Sequence, residues 1–223
     1  MRAAEEAARR KRRNIYGLGA AVIVVVGIIV AIVVTSSGGA KPPPRVQSQA
    51  GPEGIPIERG TPIAPASTSA NGATVEGIQC QASEQVAYHI HAHLAIYVNG
   101  TLRPLPAGIG LVSPLAQPTA DGNFYEATHC YYWLHVHAQD GVIHIESPAA
   151  RAYTLGQFFA IWNQPLGPGR VAGVTGTLHV FVNGKARAGD PSQIVLLAHT
   201  DIQIDVGTPV VAPRSVDWTG TGL

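Results

Sequence analysis

This sequence of 223 residues is poor in methionine and lacks the sequence signatures of common enzymes. No methionine follows Met1, which disfavours a thioether-rich site for Cu(I). The sequence also lacks the G-x-S-x-G, H-E-x-x-H, P-loop and Rossmann patterns of many hydrolases, metalloproteases and nucleotide-binding proteins. The absence of a catalytic motif favours a binding module and leaves a small metalloenzyme as an alternative.

Charge is scarce as well, because only 13% of the residues are charged. Six of the fifteen Lys and Arg residues lie within residues 1–34, and the remainder of the chain has nine basic and twelve acidic residues. A basic cluster confined to one end, directly before an apolar run, is typical of a membrane-topology signal. This distribution excludes a nucleic-acid-binding patch.

The apolar run at residues 15–34, IYGLGAAVIVVVGIIVAIVV, contains no charged residue. Twenty helical residues span about 30 Å, the thickness of a hydrocarbon core. The run predicts a single transmembrane helix that contacts the lipid bilayer, with a cleaved signal peptide as the alternative. The positive-inside rule then leaves residues 1–14 in the cytoplasm and the rest of the chain outside the cell membrane.

Composition divides the predicted outer part into three segments. Residues 35–77 are rich in Pro, Gly, Ser, Thr and Ala, and we expect a disordered linker there. Residues 78–210 are long enough to bury a core of their own, and we expect a histidine-rich domain in this range. Residues 211–223 form a C-terminal tail.

The two cysteines, Cys80 and Cys130, both follow the predicted membrane helix. An even pair outside the cytoplasm favours a disulfide. A loop of about fifty residues would then be closed, which is worth roughly 4 kcal/mol in the chain-entropy model. The alternative is that Cys130 ligates a metal beside His129 or His135.

Local patterns predict strands and one helix in residues 78–210. Residues 89–98 alternate between two faces and end at Asn99-Gly100, a strong hairpin signal, and residues 178–184 repeat this pattern with Asn183-Gly184. A further alternating strand is predicted at 201–206. The helix is predicted to begin after Thr154, whose spacing to Gln157 fits a capping box.

The order of these elements indicates the fold class. From residue 131 we expect strand, turn, strand, helix, strand, loop and strand. This is the order of a β-grasp unit, in which a mixed sheet wraps one helix. We therefore expect an α+β, mainly β domain with a β-grasp-like unit, and a β-sandwich or small barrel is the alternative.

The segment 130–147, CYYWLHVHAQDGVIHIES, predicts a hairpin with an ionisable face. Asp140-Gly141 suits a type I′ turn, which would pair His137 with His144 and His135 with Glu146. A loop shifted by one residue would instead pair His135 with His144. Either register keeps these four side chains on one face and places the apolar residues on the other: Leu134, Val136, Ile143 and Ile145.

These four side chains, His135, His137, His144 and Glu146, are the predicted metal ligands. Paired Cβ atoms lie about 4.5–5.5 Å apart, so that their imidazoles can share one ion. Imidazole with a carboxylate suits Zn(II), Cu(II), Ni(II) or Fe(II), and Zn(II) or Cu(II) is the ion that we expect. Asp140 is a candidate to orient a histidine. The alternative is a set of structural or solvent-facing histidines.

A second cluster, His89, His91 and His93, shares one face of the preceding strand. The sequence leaves open whether it joins the first site or forms its own.

The chain resembles a group of uncharacterised, membrane-anchored extracytoplasmic proteins of bacteria and archaea. The resemblance covers about residues 80–165 and is carried by HIHAHLAIYVNG, LPAGIG, CYYWLHVHAQDGVIHIESP and YTLGQFF. It implies an envelope location and a recurring L-H-x-H-x-x-x-G-x-I-H-I-E hairpin, and it implies no reaction.

Three functions are consistent with these patterns. The first is a membrane-anchored module that binds Zn(II) or Cu(II) outside the cell. The second is a small metalloenzyme in which three protein ligands leave one position for a water that the metal acidifies. The third is a scaffold domain whose histidines are structural or respond to pH.

Overall fold

The computed structural model describes residues 50–66 and 71–223. The predicted cytoplasmic segment, the transmembrane helix at 15–34 and the first part of the linker lie outside the described residues. Within the described ranges, no helix has both the length and the apolar character needed to cross a bilayer.

The described residues form a mainly β domain with one α-helix, as predicted. In chain order the elements are β1 (Cys80–Gln81), β2 (Tyr88–Val98), β3 (Thr101–Leu102), β4 (Leu111–Thr119), β5 (Gly122–Tyr132), β6 (Leu134–His135), β7 (Val142–Ser147), β8 (Tyr153–Thr154), α1 (Leu155–Trp162), β9 (Leu166–Gly167), β10 (Arg170–Val171), β11 (Val174–Thr175), β12 (Leu178–Val182), β13 (Lys185–Ala186), a 3-10 helix (Pro191–Gln193), β14 (Val195–Leu196) and β15 (Thr200–Val206).

The largest sheet has the strand order β13-β12-β15-β2-β7-β6, and β3 pairs with β2. β2 and β15 are parallel, whereas the other neighbours are antiparallel. Both predicted Asn-Gly turns are confirmed: Asn99-Gly100 joins β2 to β3, and Asn183-Gly184 joins β12 to β13. All four turn residues have positive φ, as a type I′ turn requires.

The predicted helix and its capping box are also confirmed. The Thr154 hydroxyl accepts from the Gln157 backbone N–H, and the Gln157 side chain accepts from the Thr154 N–H. Asn163 ends the helix in the left-handed conformation. Phe158 and Trp162 are fully buried against the large sheet in one continuous apolar core.

A long hairpin of β4 and β5 lies beside this sheet, and β1 pairs with the end of β5. The disulfide Cys80–Cys130 joins β1 to β5, as predicted, with Cα atoms 5.4 Å apart. Its sulfur atoms are therefore not available as metal ligands, and the alternative role of Cys130 is wrong.

The preferred hairpin register at 130–147 is wrong, and the shifted register is observed. β6 pairs with β7 so that His135 lies opposite His144 and Leu134 opposite Ile145. β6 is only two residues long, because the chain leaves the sheet after His135 and returns at β7. The loop is therefore longer than the two residues that a type I′ turn allows.

Asp140 and Gly141 still shape this loop. The Asp140 carboxylate accepts from the Val142 N–H, and the Leu94 N–H donates to the Gly141 carbonyl. Gly141 has a φ of +82°, and an added Cβ would press on His93 and on the Leu94 carbonyl. Only glycine fits this approach without strain.

Residues 50–66, within the range assigned to the linker, lie against the large sheet. Ile55 and Ile63 are buried, and Ile63 belongs to the main apolar core. The Glu58 N–H donates to the Gln139 carbonyl, and the Gln139 side chain donates to the Glu58 carbonyl. We call residues 50–60 the N-terminal strap.

The C-terminal tail packs on the polar face of β15. Three backbone N–H groups of the tail, from Val211, Arg214 and Val216, donate to buried side chains of β15. The acceptors are Asp205, Gln203 and Asp201, respectively.

Candidate metal centre

The two predicted histidine clusters meet on one face of the large sheet. β7 lies between β2 and β6. On one side of it, His144 is opposite His91 and Glu146 is opposite His89. On the other side, His144 is opposite His135. The alternate residues of β2 and β7 face the apolar core, so the ionisable side chains share the opposite face.

Six side chains converge there, and we call them the histidine cluster: His89, His91, His135, His137, His144 and Glu146. Their ligand atoms fall into two sets of four, within which all atoms lie within 4.8 Å of one another. One set has His89 and His91, the other has His135 and His137, and both include His144 and Glu146. His89 is 38% exposed, whereas the other five are buried.

Backbone carbonyls orient the His135–His137 pair. The Nδ1 of His135 donates to the Tyr132 carbonyl at 2.8 Å, and the Nδ1 of His137 donates to the Tyr125 carbonyl at 2.6 Å. A carbonyl oxygen can only accept, so each Nδ1 holds a hydrogen and each Nε2 of a neutral ring has a free lone pair. The two Nε2 atoms face each other at 3.0 Å.

The His89–His91 pair has a similar geometry on the other side of β7. Its Nε2 atoms are also 3.0 Å apart. His89 Nε2 lies 3.0 Å from Glu146 Oε1, and the same oxygen lies 3.1 Å from His144 Nδ1.

Two further glutamates border the cluster, and the sequence analysis did not assign them. Glu84 Oε1 lies 3.2 Å from His137 Nε2 and 4.0 Å from His135 Nε2. Glu53, from the N-terminal strap, contacts His144 Nε2. Both residues precede β2 in segments without periodicity, so no local signal could have identified them.

Burial leaves some carboxylate oxygens without partners. Among the described residues, Glu146 Oε2 and Glu53 Oε2 have no hydrogen-bond partner, although Glu146 Oε2 lies 4.0 Å from His135 Nε2. Buried carboxylates are normally paired, hydrogen-bonded or bound to a metal. These oxygens therefore lie where a cation would be stabilised.

Burial also keeps three of the histidines neutral. It lowers the pKa of His91 to about 3, and the neighbouring His144 and His89 add to this effect. The pKa values of His135 and His144 are well below the usual range, first because of burial and then because of nearby imidazoles. A neutral imidazole is the form that binds a metal.

His137 and Glu146 shift in the other direction. Burial lowers the pKa of His137, but the Glu84 side chain and the Tyr125 carbonyl outweigh it, and the pKa is raised. Burial, with the charge of Glu84, raises the pKa of Glu146 to about 7. Both shifts favour the protonated form of these two groups in the metal-free protein.

The structure does not bring His93 into the cluster. Its Nε2 lies 3.0 Å from the Asp140 carbonyl and 3.4 Å from Glu58 Oε1. Asp140 therefore contacts His93 through its backbone carbonyl, and its side chain accepts from the Val142 N–H within the loop. His129 is exposed and outside both sets of ligands.

Comparisons with protein-family models, with curated proteins and with solved structures found no match for this chain.

Proposed function

We propose that this chain binds a transition metal, Zn(II) or Cu(II), through the histidine cluster. One observation supports this function above the others: the Nε2 atoms of His135 and His137 face each other at 3.0 Å, while both Nδ1 atoms donate to carbonyls. Two lone pairs repel at this distance unless a proton or a metal cation lies between them.

The separation suits a metal. Two nitrogens bound at 2.0–2.1 Å to a tetrahedral Zn(II) lie about 3.3 Å apart, close to the distance in both histidine pairs. Histidines bound to metals commonly donate their other ring N–H to a carbonyl or carboxylate, which fixes the ring orientation. Tyr132 and Tyr125 supply such carbonyls.

The donor set favours Zn(II) or Cu(II) over hard cations. Five imidazoles and one carboxylate form the cluster, and imidazole ligands suit these two ions better than Mg(II) or Ca(II). Neutral rings at His91, His135 and His144 need no deprotonation before binding.

We propose, from the sequence, that residues 15–34 anchor this module in the cell membrane and that the module lies outside. The disulfide Cys80–Cys130 supports this placement, because disulfides persist in oxidising compartments. The resemblance to membrane-anchored extracytoplasmic proteins leads to the same proposal.

We also propose that part of the domain is a β-grasp-like unit. The strand order β7-β2-β15-β12, with a parallel central pair and α1 between β7 and β12 in the chain, supports this proposal. The first hairpin of this unit would be β2 with β7, and not the hairpin within residues 130–147 that the sequence predicted. The strands β3 to β6 would then lie between its two strands in the chain.

The test uses the full chain, without an affinity tag, purified in detergent and stripped of metal with a chelator. Zn(II) and Cu(II) are titrated separately by calorimetry. We expect at least one tightly bound ion per chain. The double variant His137→Ala with His144→Ala should bind much more weakly, because it loses ligands from both sets.

The matched control is His129→Ala, which removes an exposed histidine outside the cluster and should bind like the parent. If the parent takes up neither ion, the metal proposal is wrong and the scaffold hypothesis is favoured. If the double variant binds as tightly as the parent, the metal lies elsewhere.

A further inference from the structure

We infer that the histidine cluster holds two metal ions, not one, and that Glu146 bridges them. This inference rests on the proposed metal-binding function and extends it. The ligand atoms form two sets of four, each with its own histidine pair. Zn(II) in proteins is almost always held by four ligands in a structural site, so one ion would leave one of the two histidine pairs unused.

The two oxygens of Glu146 face different histidine pairs. Oε1 lies 3.0 Å from His89 Nε2, whereas Oε2 lies 4.0 Å from His135 Nε2 and has no hydrogen-bond partner among the described residues. Glu146 is 3% exposed, so both oxygens are held inside the cluster. A bridging carboxylate presents one oxygen to each ion in this way, and the ions in two-metal sites lie about 3.5–4 Å apart.

Each ion then has four ligands. The first ion is bound by His89, His91, His144 Nδ1 and Glu146 Oε1. His89 Nε2 lies 3.0 Å from both His91 Nε2 and Glu146 Oε1, and His144 Nδ1 lies 3.1 Å from Glu146 Oε1.

The second ion is bound by His135, His137, Glu84 and Glu146 Oε2. Glu84 takes the place that His144 has in this set, because His144 Nδ1 is already a ligand of the first ion. Glu84 Oε1 lies 3.2 Å from His137 Nε2 and supplies the fourth ligand on this side.

Glu53 positions His144 for the first ion. It contacts His144 Nε2, so that a hydrogen on Nε2 is donated to the carboxylate and the Nδ1 lone pair faces Glu146 Oε1. With Glu84 and Glu146, Glu53 brings three carboxylates to a site where two divalent cations would bring four positive charges. This near balance of negative and positive charge lowers the cost of burying the ionic groups.

Metal stoichiometry tests the inference. The full chain in detergent, without a tag, is loaded with excess Zn(II), freed of unbound ion by gel filtration, and analysed for zinc per chain by mass spectrometry. We expect two. One ion per chain would overturn the two-ion inference and leave the proposed function intact, whereas none would overturn both.

Cu(II) paramagnetic resonance tests the bridge without any substitution. At two equivalents, ions that share Glu146 are magnetically coupled, so the integrated signal falls well below two spins per chain. Two uncoupled spins per chain would overturn the bridge.

Glu84→Gln tests the ligand set. Glu84 is 37% exposed, so this change should leave the fold intact. We expect the dissociation constant of the second Zn(II) to rise about 10-fold or more, the loss typical of disturbed ligation, while the first is little changed.

Glu126→Gln, which changes an exposed glutamate of β5, is the matched control and should bind like the parent. Equal affinity of Glu84→Gln and Glu126→Gln for both ions would overturn the assignment of the second ligand set.

Discussion

Replacing both cysteines of the Cys80–Cys130 disulfide with alanine should lower the unfolding free energy by about 4 kcal/mol. The bridge spans 50 residues, and closing a loop of this length restricts the unfolded chain by that amount in the chain-entropy model. Alanine is chosen because Cys130 is buried, and a serine hydroxyl there would add a desolvation cost.

The assay is guanidinium unfolding of the metal-free protein, followed by circular dichroism in detergent. Reduction of the parent with dithiothreitol should reproduce the loss seen in the double variant. A loss below about 1 kcal/mol in both experiments would refute the reasoning, since the loop would then not restrain the unfolded chain.

The same variant shows whether the disulfide affects metal affinity as well as the unfolding free energy. β5 contributes the Tyr125 and Tyr132 carbonyls that hold His137 and His135. If the disulfide acts mainly on the unfolded chain, the folded variant should bind Zn(II) nearly as tightly as the parent. A large loss of affinity would show that the bridge positions these carbonyls.

Three smaller changes test other parts of the structure. Gly141→Ala should destabilise the fold by about 1–3 kcal/mol through backbone strain and contact with His93. The loss should exceed that of Gly184→Ala, whose added Cβ meets no atom within 4 Å. Thermal or chemical unfolding measures both losses. Thr154→Ala should cost about 1 kcal/mol in the same assay, because the helix loses its capping box. The metal-free His91 ring should not titrate by NMR between pH 7 and 5, since its pKa is about 3. In the unfolded chain the same ring takes up a proton near pH 6.5, so the contribution of His91 to stability decreases by about 2 kcal/mol as the pH falls from 7 to 5. The variant His91→Gln should lack that decrease.

Sequence patterns predicted the elements whose structure depends on residues close together in the chain. The Asn99-Gly100 and Asn183-Gly184 turns, the Thr154 capping box and the alternating strands at β2, β12 and β15 all follow from residues a few positions apart. The long β4–β5 hairpin was not predicted. Pro114 and Pro118 lie within β4, and proline inside a run argues against a strand.

The shared face of the two histidine clusters depends on pairing between distant residues. His91 and His144 are opposite each other although they are 53 positions apart, and no local pattern encodes that neighbour. The loop register was missed for a related reason: Gly141 is held by the Leu94 N–H of β2, a contact from another strand. The alternation of side chains did predict which face the histidines share, because both registers keep it.

The N-terminal strap and the C-terminal tail set practical limits on any recombinant fragment of this protein. A fragment that begins at residue 78 would lose Glu53, the carboxylate that contacts His144, and the buried Ile63. A fragment that ends at residue 210 would remove the backbone donors of three buried side chains of β15, at about 1–3 kcal/mol for each unsatisfied group. Expression clones that start at or before residue 50 and keep the tail therefore preserve both the metal ligands and their supports.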